Sequence, residues 1–425
     1  MTRLVFESNV TKNFSYPVFV ITLAAGFLFY KYVLQVFPSI IATDLMREFN
    51  LTGASLGGLA ATFYYSYMIM QLFVGILLDK YSMRYFTACA IAIAALGILL
   101  FSQAETLFIA SFARALMGLG VAFATVAYMK LAATWFKPHQ YAFVSGLLAT
   151  AAMAGAVFGQ APLAWLVDNF GWRFCLLIVG LVGIVFAIIF FLVIQDKQAC
   201  SALSNKISIA ELKKALKNKQ NWLLTLYSGL AFSPIAVFGG LWGNPFLEQA
   251  YHLSKTQAAS MISFIFIGLG VGSPLLGLLS DKLNNRRDIM LFSTILSCVA
   301  IIMILYSPTL SLSVLRFLLF LFGFGLGAFM LVFAIGKEIN SLALTATIAA
   351  MINTSDAILD ALTEPLIGKL LDLNWDGKIV NDIHVFSLHS YRFALIILPI
   401  YLIIGALLLV WLKEQPADNQ ALALK

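Results

Sequence analysis

Charged side chains are scarce in this chain: Asp, Glu, Lys and Arg together make up 11% of its 425 residues. A soluble globular protein carries roughly a quarter of its residues as charges, so a soluble fold is excluded. Cysteine is almost missing, with 4 residues. Cys89, Cys175 and Cys298 sit inside apolar runs and Cys200 in a polar connector, without any CxxC spacing, so neither a disulfide framework nor a metal site is expected. The 4 histidines, His139, His252, His384 and His389, fall in or beside loops, where a solvated imidazole is the default. No GxxxxGK[ST] stretch occurs, which removes ATP-driven pumping within this chain. Enzyme activity and a resident cofactor are not expected.

What the chain has instead is apolar length. Hydrophobic residues make up 61% of it, and the mean hydropathy is +0.92. A bilayer with a core about 30 Å thick demands roughly 20 apolar residues per spanning helix, and such runs recur throughout. Twelve spans are predicted, at 16–42, 55–78, 86–103, 107–131, 140–167, 172–195, 221–247, 257–280, 288–308, 311–336, 345–371 and 391–412. The fold class is therefore an all-α integral membrane protein. The first span is too long for a signal-peptide core and has no cleavage pattern before it, so it is read as a retained helix.

Lys and Arg set the expected orientation. With a cytoplasmic N-terminus, the inside segments hold Arg3, Lys12, Lys80, Arg84, Lys137, the linker lysines, Lys282, Arg286, Arg287, Lys337, Lys413 and Lys425. The outside segments hold fewer, so both termini are expected inside. This asymmetry accounts for the net charge of +7, and the partners it implies are anionic lipid headgroups rather than nucleic acid.

The longest polar stretch, QDKQACSALSNKISIAELKKALKNKQNW, divides six spans from six. It separates an N-terminal bundle (1–195) from a C-terminal bundle (221–425) through a linker (196–220), within which ISIAELKKALKNKQ fits either an amphipathic surface helix or a plain solvated connector. A repetition links the halves. Gly75-Ile-Leu-Leu-Asp79-Lys80 ends span two, and Gly277-Leu-Leu-Ser-Asp281-Lys282 ends span eight, with the aspartates 202 residues apart. Arg114 and Arg316 are also 202 apart. A duplicated six-helix unit is the arrangement expected of a secondary transporter that rocks one half against the other.

The loop after span two resembles the G-x-L-x-D-[RK]-x-G-[RK]-[RK] loop of the major facilitator superfamily, through Gly75, Leu77, Asp79, Lys80 and Arg84; Ser82 and Met83 depart from it. The second copy keeps Gly277, Leu279, Asp281, Lys282, Arg286 and Arg287, with Asn284 in place of glycine. Arg114-Ala-Leu-Met-Gly118-Leu-Gly120 is similar to that family's span-four motif, R-x-x-x-G-x-G. The resemblance implies two six-helix bundles related by a pseudo-twofold axis, a monomer working by alternating access, and a central cavity lined by spans one and four. The Gly-Pro motif that many of the family's drug antiporters carry in span five is not evident, and Pro162 lies too late. A gating role follows for Asp79, Lys80, Arg84, Asp281, Lys282, Arg286 and Arg287: a carboxylate at a helix end pairs with a basic side chain or a helix N-terminus when the halves close on that side. The alternative is topology-setting charge.

Against this apolar background the intramembrane charges stand out. Lys31 lies about fifteen residues into span one, where a lysine costs on the order of 2.5–3.5 kcal/mol without a polar partner. It binds either a substrate carboxylate or a fixed structural acid. Arg114 offers a planar fork for the same purpose, whereas Arg316, near a helix end, is read as structural. Asp356, Asp360 and Glu364 recur every four residues in span eleven and form one stripe, with Asn353 a turn before it. Like charges one turn apart resist joint ionisation, so the stripe reads as a proton-coupling site on Asp356 or Asp360, or else as a permanent polar seam. Glu364, closer to the outer mouth, is expected to be solvated. Tyr30, Gln35, Tyr128, Trp242 and Asn244 complete the candidate substrate-binding set, beside Tyr64, Tyr65 and Tyr67.

The function these features predict is proton-coupled symport of a small solute bearing a carboxylate: an amino acid, short peptide or organic acid. The alternatives are a proton-driven exporter and a membrane sensor that no longer transports. A bacterial inner membrane or plasma membrane is the expected location.

Overall fold

In lipid every backbone N–H and C=O must find its partner within the chain, and the apolar runs accordingly become helices. A computed structural model describes residues 15–196, 213, 215–307, 310–340, 344–380 and 383–413. Among these, eleven helices are long and apolar enough to cross a membrane: Tyr16–Ile40, Gly53–Leu78, Met83–Ser102, Leu107–Trp135, Leu147–Phe170, Trp172–Val193, Lys219–Tyr251, Lys255–Leu283, Arg286–Tyr306, Leu312–Glu338 and Leu388–Val410. They correspond to spans one to ten and twelve. Span eleven, Thr345–Leu373, is equally long at 29 residues but carries the three acids. Most of the predicted linker helix lies outside the described residues, as does the Asp79 side chain.

Side-chain caps set several helix starts. Thr52, Ser82, Thr106, Ser254, Ser311 and Ser387 each accept a bond from a backbone N–H in the first turn, as N-cap oxygens do. The bundle ends are tied in pairs. Tyr16 Oη donates to Val193 O at 3.0 Å and accepts from the Gln195 N–H at 3.1 Å, joining the start of span one to the end of span six. Gln220 Oε1 accepts from the Lys413 N–H at 2.9 Å, joining the start of span seven to the end of span twelve. These ends define the linker face; the opposite side is called the distal face below.

The duplication is visible as close helix contacts through glycine. A Cβ at Gly118 would lie 2.0 Å from Phe63 O and one at Gly120 2.4 Å from Ala90 O; in the second half, Gly323 would meet Ile265 O at 1.9 Å and Gly325 Ser293 O at 2.6 Å. Span four thus packs on spans two and three as span ten packs on spans eight and nine. The register corrects one expectation. The glycines and the helix starts, Leu107 and Leu312, place span ten three residues out of step with the 202-residue spacing of the arginines. The position matching Arg114 is the buried Leu319, and Arg316 is exposed. The equal arginine spacing is a coincidence of sequence.

Several spans are interrupted. Span one ends in a 3-10 turn, Phe37–Ile40, with Pro38 at its start. Span five breaks between Phe158 and Ala161, at Gly159 and Gln160. Span seven carries a π-turn, Phe238–Trp242, of the kind common at functional sites. All three breaks lie toward the distal face, where the two halves meet.

Candidate functional site

Four-residue spacing keeps Asp356, Asp360 and Glu364 on one helix face, and that face turns away from lipid: their exposures are 8%, 1% and 2%. Asp356 accepts a bond from Ser228 Oγ of span seven at 2.7 Å. Span seven comes this close because residue 229 is glycine; a Cβ there would sit 2.7 Å from Ser355 Oγ. Asp360 Oδ1 and Glu364 Oε2 are buried without a hydrogen-bond partner. The solvated mouth expected for Glu364 is therefore not what the structure has. The halves close over it on the distal side, and its neighbours there include Gly57, whose Cβ would meet Glu364 O at 2.4 Å.

Lys31 of span one reaches the same interface and is 7% exposed. Its Nζ lies 4.9 Å from the ring centres of both Tyr32 and Tyr67 and donates to Tyr67 Oη at 3.4 Å. It lies within electrostatic range of Asp356 and Asp360, yet among the described residues it forms no ion pair with them. Two aromatic faces help to hold the buried ammonium, without a carboxylate clamped onto it. At the same level Tyr65 Oη donates to Ala361 O at 3.1 Å, joining span two to span eleven. Asn353 is half-buried, one turn toward the linker face.

Arg114, 1% exposed, sits differently from the sequence expectation. Its Nη1 donates to Leu34 O at 2.7 Å and its Nη2 to Ala60 O at 3.4 Å, and its guanidinium lies 5.2 Å and 4.7 Å from the Phe37 and Phe63 rings. Nη1 and Nη2 thus fasten spans one, two and four together, while Nε is buried without a hydrogen-bond partner and the charge lies within reach of Glu364. Tyr30 and Tyr128 are not brought to the cluster. Tyr30 Oη donates to Val179 O at 3.3 Å against Gly183, inside the N-terminal bundle, and Tyr128 Oη donates to Val144 O at 2.7 Å. Gln35 donates to Tyr64 Oη at 3.3 Å, beside the cluster.

Trp242 and Asn244 belong to the distal closure. Trp242 Nε1 donates to Glu364 O at 3.2 Å. Asn244 Nδ2 donates to Ser39 Oγ at 3.1 Å and Gln160 Oε1 at 2.8 Å, while Gln160 Nε2 donates to Ser39 Oγ at 2.9 Å and Gly239 O at 2.8 Å. The three helix breaks thus meet in one buried amide network across the halves. Around it, the Asp372 carboxylate accepts from the N–H groups of Gly53 and Ala54 at 2.7 and 2.8 Å, capping span two from span eleven. Lys255 pairs with Asp44 at 2.5 Å, and Thr256 Oγ1 donates to Asp168 at 2.5 Å. Ser39, Gln160, Asp372, Asp44 and Lys255 were not singled out by sequence reasoning. Gln160 beside Gly159 and Pro162 was the one available signal.

At the linker face, the described bonds of Asp281 and Arg84 stay within their own halves, and the Asp79 side chain lies outside the described residues. Asp281 pairs with Arg286 at 3.4 Å and Arg286 with Glu338 at 2.6 Å, all within the C-terminal bundle. Arg84 Nε donates to Phe191 O at 2.5 Å and its N–H to Asp196 at 3.1 Å, within the N-terminal bundle. Lys80 lies 5.5 Å from the Tyr81 ring centre, Lys282 is exposed, and Arg287 is half-buried. The motif glycines agree: a Cβ at Gly75 or Gly277 would meet nothing within 4 Å, whereas one at Gly368 would meet Gly53 O at 2.0 Å. The halves are locked at the distal face and unlocked at these two positions of the linker face.

A sequence profile of the Major Facilitator Superfamily matches residues 19–363. The uncharacterized transporter YybO of Bacillus subtilis is 31% identical over 173 residues, which span 41% of this chain and 40% of that relative. The probable galactarate/D-glucarate transporter GudP of the same organism is 24% identical over 417 residues, covering 89% of this chain and 90% of the relative. Among solved structures, a bacterial homolog of the human lysosomal transporter Spinster, inward-facing and occupied, superposes with a TM-score of 0.81 at 16% identity, over 95% of this chain and 100% of that one. That likeness is one of fold.

Proposed function

The chain belongs to the major facilitator superfamily, and we propose that it is a secondary active transporter carrying out proton-coupled symport of a small organic solute with at least one carboxylate. The observation that carries this reading is the buried cluster at the junction of the halves: Lys31 faces Asp356 and Asp360 without pairing with them. An unclamped ammonium inside a membrane protein suits an anionic group on a solute. Two acids one turn apart, buried with one lysine, favour a state in which one carboxyl holds a proton. Alternating access would exchange the distal lock seen here for one built on Asp79 and Asp281 at the linker face, taken as cytoplasmic, in a bacterial inner or plasma membrane.

The test uses proteoliposomes with D-glucarate, L-alanine and L-alanyl-L-alanine as candidate solutes. Net uptake driven by a pH gradient requires the proton carrier to ionise on the inside, so Asp356→Asn or Asp360→Asn abolishes it. Exchange of labelled for unlabelled solute requires only that the loaded carrier reorient, and it survives. If both variants accumulate solute at the wild-type level, neither acid carries the proton.

A further inference from the structure

The acceptor atoms left over in the cluster point beyond the carboxylate. We propose that the solute also carries an ammonium group, which Asp360 and Glu364 receive while Lys31 receives the carboxylate, so that the substrate is a zwitterion such as an α-amino acid or short peptide. This rests on reading the cluster as the substrate site. Asp360 Oδ1 and Glu364 Oε2 are buried without a hydrogen-bond partner, with the equally unpartnered Ser233 Oγ near Asp360, on side chains that are 1% and 2% exposed. A buried acceptor without a donor is costly, and a carboxylate more so than a neutral group. Asp356 differs, since Ser228 already donates to it.

Charge balance favours the same class. Three carboxyls share the site with two cations, and Arg114 gives both Nη atoms to the carbonyls of Leu34 and Ala60, with only Nε unpartnered. With one proton on Asp356, leaving Asp360 and Glu364 ionised, the cluster is neutral. A zwitterion adds no net charge to it, whereas a sugar diacid brings two further negative charges to a site with one free cation, Lys31, and no compensation for the second. The order along the stripe sets the pose. Lys31 lies within electrostatic range of Asp356 and Asp360, and Glu364 follows them toward the distal end of span eleven, about 6 Å per four residues along the helix axis. The ammonium accordingly sits distal to the carboxylate.

Five probes on the purified wild-type protein decide this by thermal shift and by competition for counterflow in proteoliposomes: L-alanine, L-alanyl-L-alanine, N-acetyl-L-alanyl-L-alanine, L-alanyl-L-alanine amide and D-glucarate. At least one free zwitterion is expected to stabilise and compete, with the N-acetyl and amide forms and D-glucarate at least tenfold weaker. Glu364→Gln is expected to weaken the zwitterion at least tenfold while leaving the N-acetyl form unchanged. The inference is overturned if neither zwitterion binds, or if the N-acetyl form or D-glucarate binds as well as the better zwitterion. Proton-coupled uptake of D-glucarate alone would sink this inference and leave symport standing; zwitterion binding without proton coupling would do the reverse.

Discussion

Replacing Asp372 with Asn tests the distal lock most directly. The carboxylate accepts from two backbone N–H groups at the start of span two, Gly53 at 2.7 Å and Ala54 at 2.8 Å. An amide keeps one acceptor and turns an NH2 toward the other donor, so one charge-assisted bond is lost, a change of about 1.5–3 kcal/mol. The positive end of the helix also loses its facing anion, about 0.3–1 kcal/mol more. The site is only partly buried, and solvent recovers part of the loss. A net change of about 1.5–2.5 kcal/mol moves the balance between distal-closed and distal-open states by roughly ten- to seventyfold. Spin labels at Glu105→Cys and Ser313→Cys, exposed positions at the distal starts of spans four and ten, report this as a longer distance population once the native cysteines are replaced. An unchanged distance distribution would refute the assignment of Asp372 as a lock, because nothing else in the substitution restores two acceptors to Gly53 and Ala54.

Three further outcomes are expected. Lys31→Ala folds, with a midpoint temperature near the wild type, because no ion pair is broken; solute affinity falls at least tenfold, and intact affinity would remove Lys31 from the site. Gly118→Ala forces a methyl to 2.0 Å from Phe63 O and lowers thermal stability by about 1–3 kcal/mol or more, whereas Gly58→Ala, with nothing within 4 Å, is neutral or stabilising by up to about 1 kcal/mol; equal effects would show that spans two and four do not pack this closely. Gly75→Val leaves the distal-closed state undisturbed, since the space beside it is open, but slows transport if the linker face closes on that glycine; wild-type transport rates would argue against closure there.

Hydropathy and four-residue spacing were sufficient to locate the spans and the acid stripe, because a bilayer leaves few ways to place a run of 20 apolar residues or three acids. That Lys31 would be buried near the acids of span eleven was legible for the same reason. The committed fork of Arg114 was not, since its acceptors are backbone carbonyls, which every residue carries. The equal arginine spacing misled because the three-residue slip in span ten shows in the helix starts and the glycine contacts, not in the arginines. The latch expected at Asp79 and Asp281 belongs to closure of the linker face, whereas the carboxylate seen across the halves, Asp372, serves the distal one. The same chemistry, a carboxylate at a helix end, serves both faces, and sequence does not state which face is closed.

A π-turn leaves carbonyls without their regular partners in their own helix, and in span seven Gly239 O takes its hydrogen bond from Gln160 of the other half. When the halves part, Gly239 O, Gln160 and Asn244 lose partners together, and each polar group left bare costs about 1–3 kcal/mol. Water is the replacement at hand. A seal of leucines could separate dry; this one cannot, so opening the distal face is a wetting event. The arriving water enters beside Trp242, whose indole holds the backbone of Glu364, and hydration thereby reaches the acid stripe from its distal end before anything else does.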